Sequence, residues 1–76
     1  MLINEPVTVG SVNGTPKYVI WKGRTHTIKK IGLHHHFSEG NTLYHIFSVA
    51  TDTLFLKLKL DTSSLLWRLE EMENGI

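Results

Sequence analysis

The sequence predicts a single all-β domain of five or six antiparallel strands. Short runs of β-branched and aromatic residues alternate with polar ones, and turn signals recur about every 8 to 12 residues. The length of 76 residues is enough for one domain and too short for two.

The elements follow in order. Pro6 to Val9 is the first strand, with Val7 and Val9 on one face. Gly10 ends it. Asn13-Gly14 supplies a hairpin turn, because both residues accept positive φ. Lys17 to Trp21 is the second strand, and Pro16 fits only its start. Lys22-Gly23 turns the chain. A long third strand runs from Arg24 to about His36. Its apolar phase slips between Ile28 and Ile31, which predicts a bulge at Lys29-Lys30 or a bend near Gly32.

Ser38-Glu39-Gly40-Asn41 is the next turn. Thr42 to Ala50 is apolar on both faces, the mark of a central strand or a covered outer face. Leu54 to Leu60 alternates most cleanly: Leu54, Leu56, Leu58 and Leu60 point inward, Phe55, Lys57 and Lys59 outward. After the polar turn Asp61-Thr62-Ser63-Ser64, a last strand runs from Leu65 to about Glu70. Leu65, Trp67 and Leu69 point inward there, Leu66 and Arg68 outward. A helix over residues 63–72, capped by Ser64, is the rival reading, since Leu65, Leu66 and Leu69 have helical spacing. Alternation and the preceding turn favour the strand. The ordered core then covers about residues 6–70 of a single domain, 1–76, with a frayed tail at 71–76. The expected core is Val7, Val19 or Ile20, Trp21, Ile28, Ile31, Leu33, Phe47, Val49, Leu54, Leu56, Leu58, Trp67 and Leu69.

Composition narrows the classes of function. With no cysteine, disulfides and thiolate metal sites are excluded. The N-terminus has no signal-peptide pattern and no run is apolar enough to span a bilayer, so the expected location is the cytoplasm. Eight basic residues face seven acidic ones. Their distribution is uneven. Lys17, Lys22, Arg24, Lys29, Lys30, Lys57 and Lys59 occupy the middle, while Glu70, Glu71 and Glu73 crowd the end.

Val19-Ile20-Trp21-Lys22-Gly23-Arg24-Thr25-His26-Thr27-Ile28, with the later Trp67-Arg68-Leu69, resembles the Trp-basic-Gly-Arg hairpin and closing Trp-x-Leu strand of a family of small uncharacterised bacterial all-β domains. Some members are encoded near error-prone DNA polymerase genes, so the resemblance implies a link to DNA-damage tolerance. It implies no catalytic residue. His26 stands where the family commonly has an aromatic, and the tryptophan-rich middle of the bacterial examples is missing.

Three constellations bear on chemistry. A basic, aromatic outward face is the first: Lys57, Lys59 and Phe55, with Lys29, Lys30, Arg24 and Lys22 nearby and Tyr18 or Tyr44 exposed. Small β-domains bind single strands by stacking bases on aromatics within a basic groove. The plainer reading is lysines that keep sheet edges soluble.

The second is His34-His35-His36 with His45. A turn at Glu39-Gly40 would set His34 opposite His45 and His36 opposite Leu43. Three imidazoles on one face, His34, His36 and His45, would then suit zinc or nickel. Ordinary surface histidines are the simpler account. The third is outward Phe55 and Leu66, apolar surface for a protein partner or a homo-oligomer. No nucleophile elbow, carboxylate pair or phosphate loop is present, so no enzyme and no small-molecule substrate or cofactor is expected.

The reading is therefore a five- or six-stranded, strongly bent sheet, or a small barrel rolled like an SH3 domain. It serves as a non-enzymatic binding module for nucleic acid or a nucleic-acid enzyme. A structural, oligomerising interaction domain is the alternative, and a histidine metal site the third.

Overall fold

The computed structural model describes residues 1–75. Asn13 and Gly14 take φ of 52° and 80°, and Lys22 and Gly23 take 53° and 73°. These paired left-handed residues make the two tight hairpins that their sequence signals. They join β1 (Leu2–Val12), β2 (Thr15–Trp21) and β3 (Arg24–Thr27). Then come β4 (Lys30–Glu39), β5 (Thr42–Ala50), β6 (Leu54–Asp61) and β7 (Leu66–Asn74). All pairings are antiparallel, in one sheet of order β3-β2-β1-β7-β6-β5-β4.

That count is seven, not five or six, and no barrel is closed. The expected long third strand is two strands. Ile28 N donates to Lys17 O at 2.9 Å, whereas Lys29 N donates to Ala50 O at 2.8 Å. Consecutive residues thus pair with opposite ends of the sheet, and one strand cannot do both. The sheet bends round until its two edges, β3 and β4, are neighbours along the chain. They do not pair with each other.

The ladder of β4 also shifts between Ile31 and Leu33, at Gly32. This bulge turns Leu33 to the opposite face from Ile31. Leu33 is therefore 55% exposed and outside the core where it was expected. The rest of the core sits on the inner face. Val19, Phe47, Val49, Leu56, Leu58 and Leu69 are buried, with Val7, Trp21, Ile28, Ile31, Leu54 and Trp67 packed against them. Val19, not Ile20, is the inward residue of β2. Gly10 lies opposite Tyr18, whose ring crosses the space that a Cβ would fill.

The C-terminal segment is a strand, with no helix between 63 and 72. Leu65 is not an inward strand residue. It takes φ of 60° in the turn before β7 and is exposed. Pairing of Leu54 with Asn74 and of Phe55 with Glu73 carries β7 past the expected end at Glu70, because the first half of β6 needs a partner. The expected tail over 71–75 is thus largely strand, while residue 76 lies outside the described residues. Trp21 Nε1 donates to Glu5 Oε1 at 3.2 Å, and Arg68 Nε donates to Asn4 Oδ1 at 2.7 Å. Among the described residues no helix is long and apolar enough to cross a membrane.

Candidate nucleic-acid interface

Register places the outward side chains of β4 to β7 in rows across the sheet. One row is Phe37, Tyr44, Asp61 and Leu66. The next is His35, Ile46, Lys59 and Arg68. Then come Leu33, Ser48, Lys57 and Glu71, and finally Lys30, Ala50, Phe55 and Glu73.

Small residues make a dip in this face. Gly32, Ser48 and Ala50 form its floor, and Phe55, Lys30 and Lys57 stand around it. The resulting pocket has a volume of about 380 Å³. Phe55 is 55% exposed, so its ring is open to a flat partner. Lys57 Nζ reaches Glu71 Oε2 at 3.2 Å, a solvent-facing pair that holds the ammonium beside the pocket.

At the other end of the face, Phe37 and Tyr44 stack with centroids 5.3 Å apart. Lys59 Nζ lies 4.3 Å from the Tyr44 centroid and 5.6 Å from that of Phe37. A cation over an aromatic face is attracted to the ring quadrupole. Ile46 lies between the two ends and is 4% exposed, although it is not part of the inner core. Its cross-strand neighbours are His35 and Lys59. The both-sided apolarity of β5 thus reflects a covered spot on its outer face.

Four of the seven sequence-predicted contact residues, Phe55, Lys57, Lys59 and Lys30, share this face. The others do not join them. Arg24 and Lys29 line a separate, more polar hollow with Asp52 at the bend. Lys22 lies in the β2–β3 turn, its Nζ 5.0 Å from the Trp21 ring. Phe37 escaped the sequence reading altogether. It follows three histidines and lacks an alternating apolar partner, so no pattern marked it.

His34, His36 and His45 occupy the inner face, at the open end of the core, while His35 points outward. The turn is at Gly40-Asn41, one residue later than expected, since Glu39 pairs with Thr42. His36 therefore lies opposite His45, and His34 opposite Phe47. His34 stacks on Phe47 at 4.1 Å between centroids, nearly parallel. Its Nε2 is 2.7 Å from His45 Nδ1, a hydrogen bond between the two rings. Loss of water from the stacked ring, then the charges of His45, His36 and His35, hold the His34 pKa below its ordinary 6.5. Among the described residues no group of three or more His, Asp or Glu side chains is arranged to hold a metal ion.

No protein-family model, no curated protein and no solved structure matches this chain.

Proposed function

We propose that this domain is a non-enzymatic binding module that takes single-stranded nucleic acid on the outer face of β4 to β6. The observation that carries the reading is the alternation of cations and rings along that face. Lys30, Phe55 and Lys57 line one pocket, where Glu71 pairs with Lys57, and Lys59 lies over Tyr44 and Phe37. Phe55 and Lys59 are four residues apart on one strand, about 13 Å at roughly 3.3 Å per residue. Bases stack on the exposed ring while the lysines meet phosphates. A setting beside error-prone DNA synthesis, which the Trp21-Lys22-Gly23-Arg24 resemblance implies, belongs to the same proposal.

The test is fluorescence anisotropy with a labelled single-stranded DNA and its RNA counterpart at about 50 and 200 mM salt. Affinity falls as salt rises and is lost in Lys57→Ala/Lys59→Ala. No binding at the lower salt, or binding indifferent to the double substitution, removes the proposal.

A further inference from the structure

The two edges of the sheet are unlike. β3 has four residues, begins with Arg24, and is flanked by Lys22 and Lys29. Charge and shortness are ordinary protections against pairing with another chain. β4 has ten residues, and from Ile31 to Ser38 it carries no Lys, Arg, Asp, Glu or Pro. Every residue from Gly32 to Glu39 is exposed, and β4 touches no strand but β5. Alternate residues therefore turn their N–H and C=O groups away from β5 with no strand to receive them.

The sequence of this edge is self-complementary. In an antiparallel pairing about a two-fold axis through His35, Leu33 of one copy lies opposite Phe37 of the other. His34 then lies opposite His36, and His35 opposite itself. The two apolar outward residues, 55% and 37% exposed in one copy, cover each other. A slip of two residues either way sets Leu33 against His35 or Glu39, and a slip of one puts the histidines and the apolar residues on mismatched faces.

We infer that the occupant of the β4 edge is a second copy of this chain, joined antiparallel about His35 into one continuous sheet. The pairing sets two outer faces side by side. It does not depend on what those faces bind.

The chain has no cysteine, so a single introduced one reports the register. Under mild oxidation His35→Cys gives a disulfide-linked dimer, because opposed Cβ atoms approach within about 5.5 Å. Leu33→Cys does not, since its counterpart lies opposite residue 37. In sedimentation equilibrium the parent chain has dimer mass at micromolar concentration. Leu33→Lys/Phe37→Lys sets like charges across the axis and weakens the dimer about tenfold or more. Leu33→Lys/Phe37→Glu pairs opposite charges in the same register and restores it, which separates lost pairing from lost folding. A parent chain of monomer mass, equal crosslinking by both cysteines, or equal behaviour of the two charge variants overturns the inference.

Discussion

The two faces of β6 divide the work of the molecule. Inward, Leu56 and Leu58 are buried between β5 and β7, and Leu58 has no exposed surface. Outward, Phe55, Lys57 and Lys59 keep solvent contact, and the two lysines reach other outward groups, Glu71 and Tyr44. The same eight residues thus supply cohesion on one side and recognition on the other. Because side chains alternate strictly along a strand, each can be changed with little effect on its opposite.

The sharpest way to break this separation is on the inner side. Leu58→Ala removes a fully buried side chain and costs about 2–5 kcal/mol, read as a lower midpoint in urea unfolding. In a domain this small, such a loss is a large share of the total stability. Phe55→Ala tests the other side. Nucleic-acid affinity drops by about 1–3 kcal/mol for one stacked base, while the urea midpoint stays close to the parent value. A large fall in stability would show that the two faces are not independent. Lys57→Ala releases the half-buried Glu71 and changes stability by less than about 1 kcal/mol.

The smallest effect belongs to pH. The folded protein favours neutral His34, so the unfolded chain binds the extra proton first as pH falls. The contribution is complete above pH 6.5 and declines below it, toward the lowered folded value. Urea midpoints at pH 7.5 and 5.5 differ more for the parent than for His34→Phe, which keeps the stacking on Phe47 without a titrating group. An unchanged difference would remove His34 as the cause.

Much of the fold was legible because local rules coincide with the tertiary outcome. Asn13-Gly14 and Lys22-Gly23 make the hairpins that their residues signal, and the four leucines of β6 face inward as their alternation predicts. The phase slip after Ile28 was also legible, but its meaning was not. It marks both a change of partner at Ile28-Lys29 and a bulge at Gly32. Leu33 was misplaced because only the bulge decides its face. The pairing of β1 with β7 joins residues near opposite ends of the chain, which no short-range pattern encodes. Of the site, Lys57, Lys59 and Phe55 could be read from outward phase. The cluster of Phe37, Tyr44 and Lys59, which spans two adjacent rows, depends on the Gly40-Asn41 turn, where a two-residue change of pairing moves every neighbour.

The union of β1 and β7 sets an order of events during synthesis. Leu2 pairs with Glu71, and Val7 with Trp67. The hairpins β1–β2–β3 and β4–β5–β6 can each form as their residues emerge from the ribosome. Neither has its neighbour in the final sheet until the strand beginning at Leu66 is made. Closing so long a loop costs entropy that only this last strand offsets. Until β7 follows β6, the two half-sheets lack the strand that β1 and β6 share, and β7 then joins them into one sheet.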